Sequence, residues 1–415
     1  MKQTLTEKIL SAGAGRKVKA GEVVFVNIDW ALVQDGTGPL TMDVIEELGK
    51  GVTNPDRQCI FLDHASPSSK SELSDNHIKL RKASEKYSMR LFEVGEGVCH
   101  QLMAEDCVVP GDVVVGADSH TCMAGAFGAF ASGYGSTDIA VAMATGKIWL
   151  KVPSAIKIVL EGELTYPTLA KDLILYLIGE LGASGATYKA LEFTGPGVET
   201  LSMESRLTIC NMAIEAGAKN GIMPADDKVA DYILEHRGVS FDFERLRADD
   251  GAEYEREIKI NLSELKPQVA APHSVDNVTT VEELQKEKIK IDQVFIGTCT
   301  GGRLEDLRDA EKITRGKTKN PNVRFIITPA SKKIFLEAMR EGLLDSFMET
   351  GAMIGTPGCG PCVGIQGGIL GQGEACLSTA NRNFKGRMGC GESFIYLASP
   401  ATAAAAALSG EISSP

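Results

Sequence analysis

Cys359-Gly-Pro-Cys362 lies in a glycine-rich run, GTPGCGPCVG, and a third cysteine, Cys299, sits far upstream in GTCTGGR. If these thiols serve one partner, the fold must bring two glycine loops from distant parts of the chain together. A C-x-x-C pair presents two sulfurs to one metal or cluster face. Three chemistries fit that pattern. A redox dithiol normally opens a helix after a strand in a small thioredoxin-like unit. A structural zinc site asks for four ligands. Three thiolates also suit a cubane iron–sulfur cluster with one iron left open. Four-cysteine clusters carry electrons, whereas an open iron offers Lewis-acid chemistry on a bound hydroxyl. The other seven of the ten cysteines (Cys59, Cys99, Cys107, Cys122, Cys210, Cys376 and Cys390) are scattered and read as small buried side chains.

Around these loops the patterning alternates strand and helix, which implies parallel sheets. Residues 22–29 (EVVFVNID), 58–62 and 113–116 read as strands, and 34–40 (QDGTGPL) reads as a loop. Residues 84–92 are expected to be helical. Two of the strands run into Asp63-His64 and Asp118-Ser119-His120, and polar residues at strand ends are where open α/β sheets bind ligands. Gly125–Gly146 is rich in glycine and alanine and reads as a tightly packed helix and loop. A second unit begins near Val152-Pro153, with a strand at 155–160 and a helix at 169–181. Its charged later part, 226–265, is expected at the periphery. Residues 268–278 have linker chemistry. A third unit then runs to an alanine-rich terminal helix at 400–409. The expected domains are 1–153, 154–285 and 286–415.

At 415 residues the chain is too long for a single core. Its net charge of -12 argues against a nucleic-acid partner, which calls for a basic face. The start carries Glu7 and Lys8 where a signal peptide would be apolar, and no apolar run reaches roughly 18 residues. Cytoplasm is the expected location, with no membrane association.

Six histidines are present. His64, His100 and His120 lie in glycine or strand-end contexts, two of them beside acids. A carboxylate fixes an imidazole's tautomer and moves its pKa toward working pH. Any one of them alone reads as a buried, satisfied histidine; as a group they read as proton-transfer residues. His77, His236 and His273 sit in polar segments and are expected to be solvated. Arg382 and Arg387, in STANRNFKGRMG, are spaced to clamp a small di- or tricarboxylate, or else form a basic surface loop.

Together, DGTGPL (35–40), LDH (62–64), GADSHT (116–121), TICNMAIEAGA (208–218), GTCTGGR (297–303), GCGPC (358–362) and NRNFKGR (381–387) resemble the aconitase superfamily, in that family's order and across nearly the whole chain. The resemblance implies three α/β/α domains of the aconitase iron–sulfur fold, without the fourth (swivel) domain. It implies a hydro-lyase that isomerises a small hydroxy-carboxylic acid by removing and re-adding water. Cys299, Cys359 and Cys362 resemble the ligands of a [4Fe–4S] cluster with one iron not held by the protein. Asn211 and Asn381 resemble residues that contact the cluster region. The implied acid–histidine pairs are Asp63 with His64, Asp118 with His100, and Glu215 with His120; Glu215 has no signal of its own in the sequence. Arg382, Arg387 and Ser119 resemble substrate binders, as does Gln34, a position that other relatives fill with His. The chain is similar to the large subunit of the family's split enzymes, which implies a separate small, swivel-domain subunit supplying a base serine, in a heterodimer or heterotetramer. A cluster-free, RNA-binding regulator is the competing class, and the acidic balance opposes it. A non-enzymatic scaffold would need none of these cysteines, acids or arginines.

Overall fold

The computed structural model describes residues 2–240 and 246–415. The charged stretch read as peripheral includes residues 241–245, which lie outside the described residues.

Two parallel sheets and one mostly parallel sheet organise the chain, beside one antiparallel ribbon. The first sheet has the strand order Arg90–Phe92, Gln58–Phe61, Trp30–Gln34, Val113–Gly116, Phe130–Gly133, all parallel. The second orders Asn220–Ile222, Ala190–Thr194, Ala155–Glu161 and Arg256–Asn261, again all parallel. The third has seven strands. Five run parallel, from Phe394–Ala398 through Ala375–Ser378, Gln293–Gly297 and Arg324–Thr328 to Met353–Ile354. Two antiparallel strands, Gln268–Ala270 and Val278–Thr280, extend it. The ribbon pairs Val23–Asn27 with Lys147–Lys151.

Several local expectations change. The segment read as a linker at 268–278 enters the third sheet: Gln268–Ala270 is paired on both sides, by Val278–Thr280 and Phe394–Ala398, and Val269 and Ala270 are apolar enough to be buried there. Residues 84–92 split into the end of helix Ser71–Tyr87 and the strand Arg90–Phe92. Ser88 makes the break with a left-handed φ of 55°, a conformation no helix can continue through. Trp30–Gln34, whose last residue the sequence reading placed in a loop, is a buried central strand. It carries no polar alternation because both its faces are covered.

The largest apolar core runs through all three sheet units. It joins Phe61 and Phe127 to Leu173 and Phe193 and on to Phe295, and it includes Cys299, Cys359 and Cys362. The three thiols therefore sit where the units meet. The 3-10 segment Ser119–Phe127, which carries two candidate site residues, is pressed against strand Asn220–Ile222. Gly125 is required there, since a Cβ would overlap the Gly221 carbonyl oxygen. Gly125→Ala is expected to cost about 1–3 kcal/mol by overpacking. A lowered urea midpoint, accompanied by lost activity as Ser119 and His120 shift, would show it.

Candidate active site

Parallel strands release their chains at one edge, and that edge supplies this site. Gln34 ends one strand of the first sheet. Asp63 and His64 follow a second, and Asp118, Ser119 and His120 a third. The third sheet contributes Cys299 after Gln293–Gly297, and Asn381 and Arg382 after Ala375–Ser378. The Cys359-Gly-Pro-Cys362 turn follows Met353–Ile354. Asn211 and Glu215 come from the end of helix Met203–Met212 and the 3-10 turn after it. Most of these side chains line one cavity of about 150 Å3, whose apolar lining is Val98 and Val363.

The three cysteines are buried and unbridged. Asn211 Nδ2 donates to Cys299 Sγ at 3.1 Å, and Asn381 Nδ2 reaches the same sulfur at 3.8 Å and Asn211 Oδ1 at 3.4 Å. Arg387 Nη2 lies 3.6 Å from Cys362 Sγ. Burial, reinforced by neighbouring Cys362, pushes the Cys299 thiol up to about 12. Burial also pushes Cys359 up. The N–H donors aimed at the Cys299 and Cys362 sulfurs suit anionic ligands. The donor set fits an iron–sulfur cluster. In the Cys299 loop, Thr298 takes a left-handed φ of 71°, and its hydroxyl accepts the Thr300 N–H at 3.2 Å, turning the chain sharply around the ligand.

Each histidine meets an acid. His64 Nδ1 lies 2.9 Å from Asp63 Oδ1, leaving its Nε2 toward the cavity and 3.8 Å from Asp118 Oδ2. His100 Nε2 is 2.8 Å from Asp118 Oδ1, and His120 Nε2 is 2.8 Å from Glu215 Oε1. Burial disfavours the His64 cation, but Cys359, when its sulfur is ionised, and the Asp63 carboxylate outweigh it and hold His64 well above an ordinary histidine. Burial raises Asp118, but His100 and His120 outweigh it and keep its carboxyl well below the usual range. Glu215 is likewise held low against burial, by His120 and Arg382. Ser119 Oγ lies 3.5 Å from His120 Nδ1. Gln34 turns its side-chain oxygen back to accept the Gly36 N–H.

The arginine pair divides its work. Arg382 Nε donates to both Glu215 oxygens, at 2.8 and 3.1 Å, so it is anchored from behind. Arg387 Nε is buried with no hydrogen-bond partner among the described residues.

Sequence reasoning passed over two residues that hold the site. His77, read as solvated, is buried, and its Nε2 lies 2.9 Å from Asp35 Oδ2. Asp35 in turn accepts the N–H groups of His64 and Ala65 at 3.1 and 2.8 Å. The signal was helical spacing: His77, Leu80 and Ser84 share the buried face of Ser71–Tyr87.

Buried thiols, carboxylate-held imidazoles and a guanidinium with one unsatisfied N–H surround one small polar cavity, a set compatible with an iron–sulfur cluster. Residues 7–410 match the Aconitase family (aconitate hydratase). The chain belongs to the aconitase family and is a hydro-lyase of the aconitase type, a family that implies an iron–sulfur cluster. It is 54% identical to the 3-isopropylmalate dehydratase large subunit of Elusimicrobium minutum, over 100% of this chain and 99% of that one. It is 45% identical to the methanogen homoaconitase large subunit of Methanocaldococcus jannaschii, over 99% of each. It shares the fold of Thermococcus kodakaraensis aconitase X at a TM-score of 0.51, with 13% identity, across 92% of this chain and 94% of that one. No helix among the described residues is long and apolar enough to cross a membrane.

Burial pushes the Asp35 carboxyl up, but the His77 hydrogen bond, the charge of His64 and two backbone N–H groups outweigh it and hold it below its ordinary value. Asp35 thus adds stability that is complete above the ordinary carboxylate value of about 3.9. That stability fades as pH drops through the lower folded value. Asp35→Asn is expected to lower the urea midpoint at neutral pH and to flatten the acid limb of the stability profile. An unchanged acid limb would refute this role.

Proposed function

We propose that this chain is the large catalytic subunit of a 3-isopropylmalate dehydratase, acting in the leucine branch of amino-acid biosynthesis in the cytoplasm. It would work with a separate small subunit as a heterodimer or heterotetramer. The observation that carries the reading is the convergence of three unbridged thiols, His64 and Arg387, whose Nε–H is unsatisfied, on one cavity. The full-length likeness to the Elusimicrobium large subunit supports the substrate. Homoaconitase chemistry is the second reading, supported by the lower likeness to the methanogen protein; 2,3-dimethylmalate dehydration is a third substrate to test.

Cys299, Cys359 and Cys362 would hold a [4Fe–4S] cluster. Bound there, with one iron not held by protein, it supplies Lewis-acid polarisation of the substrate hydroxyl. This chain's own residues do the rest. Arg387 offers its unsatisfied Nε–H and its other guanidinium donors to a substrate carboxylate. Arg382, braced on Glu215, takes a second carboxylate, and Gln34 and Ser119 border the same space. His64 keeps a proton at Nε2, because Asp63 occupies Nδ1 and the surrounding negative charge favours the cation. That proton goes to the departing hydroxyl as water. Asp118 holds His100 and caps the His120 backbone N–H at 2.8 Å, keeping the wall rigid. The proton on the adjacent carbon goes to a base outside this chain, assigned to a serine of the small subunit. Returning water to the other carbon completes the isomerisation.

Cys359→Ser should abolish the cluster's visible absorbance and the dehydratase activity together after anaerobic reconstitution with iron and sulfide. Activity that survives without the absorbance would sink the reading. Assayed with the small subunit, wild type should prefer 3-isopropylmalate over homoaconitate and dimethylmalate.

Arg387→Lys should raise KM roughly 10- to 100-fold, the value of a charge-assisted contact of about 1.5–3 kcal/mol. Cluster absorbance should remain. An unchanged KM would remove Arg387 from the substrate.

A further inference from the structure

Lys171 lies in none of the motifs that define the site, yet it is only 1% exposed. It stands in the first turn of helix Ala170–Leu181, where the helix dipole opposes a cation. Burial opposes the cation a second time, pulling the ammonium down to about 8, although Cys299, Asp306, Cys362 and Glu215 favour its charge. A lysine so placed needs compensation. Among the described residues no carboxylate pairs with it. Its Nζ donates to the carbonyl oxygens of Thr379 and Ala380, at 2.8 and 2.6 Å. Two of its three donors are thereby used. The adjacent Asp172 turns away, accepting the backbone N–H groups of Leu169 and Gln268 at 2.8 Å each.

The carbonyls that Lys171 holds come immediately before Asn381 and Arg382. Thr300, next to Cys299, donates its hydroxyl to the same Thr379 oxygen at 2.8 Å. Lys171 thus sits behind the point where the Cys299 loop and the 379–382 loop are tied together. Three thiolates around a [4Fe–4S] core would leave net negative charge among nearly buried side chains, and net charge and solvent exposure set such a cluster's potential.

We propose that Lys171 is a positioning residue that clamps the 379–382 loop and serves as a buried counter-charge to the cluster, raising its reduction potential. The proposal rests on the cluster reading above. It needs no particular substrate.

The test uses the full chain reconstituted anaerobically with iron and sulfide, as wild type, Lys171→Met and Lys171→Gln. Met matches the length without charge, and Gln keeps a donor for the carbonyls. Each is titrated with reductant while electron paramagnetic resonance follows the reduced cluster. Both neutral variants should hold a cluster whose reduced-to-oxidised ratio, at fixed potential, falls tenfold or more, equivalent to about 59 mV for one electron. An unchanged ratio in a folded, cluster-bearing variant overturns the proposal. So does failure of both variants to fold by circular dichroism or to hold a cluster, which would make Lys171 structural only. Absence of a cluster in wild type would instead overturn the cluster reading, and the counter-charge role with it.

Discussion

Sulfur and carboxylate crowded together in a largely buried space is the constraint that the rest of this structure answers. Each such group costs several kcal/mol unless donors or opposite charge meet it. The answer is local and repeated. Asp63 accepts the Cys99 N–H at 2.7 Å as well as facing His64, and Asp118 faces His100 while capping His120. Glu215 lies between His120 and Arg382. Arg303, fully buried behind the Cys299 loop, donates to the Cys299 carbonyl oxygen, to Thr208 Oγ1 at 2.8 Å and to Gln101 Oε1 at 3.0 Å. Few of these groups depend on a single neighbour, and most neighbours come from another part of the chain.

That arrangement explains why the sheets face one another as they do. The first sheet brings acids and imidazoles to its strand ends, and the third brings thiols and arginines to its own. The second sends none of its strand ends into the cavity. Its helices close the back instead: one carries Asn211 and another Lys171. Gln101 and Glu105 extend the tie across the units. Gln101 donates to Glu105 and receives Arg303, and Ser331 from the third unit donates to Glu105 at 2.7 Å.

Much of the site was legible because its chemistry is concentrated in short glycine-flanked runs. C-x-x-C, Asp63-His64 and Asp118-Ser119-His120 announce themselves by residue type and neighbour. Glu215, on its own an ordinary acid of a helix end, was reached only through the resemblance. His77, Lys171 and Arg303 escaped for a shared reason: each is a polar residue whose burial is decided by tertiary packing, and local sequence reads such residues as surface. The fold misreadings have the same origin. Trp30–Gln34 shows no alternation because neighbours cover both faces, and the strands at 268–270 and 278–280 are too short to carry a period.

The cavity's walls are almost wholly polar, with Val98 and Val363 the only aliphatic lining among the described residues. Such a pocket reads hydroxyl and carboxylate and offers scarcely anything to grip a branched alkyl group or to tell it from a longer acidic arm. On the proposed function, the choice of side chain would then fall to the companion polypeptide, and exchanging that partner would redirect the catalyst while every residue of this chain stayed as it is.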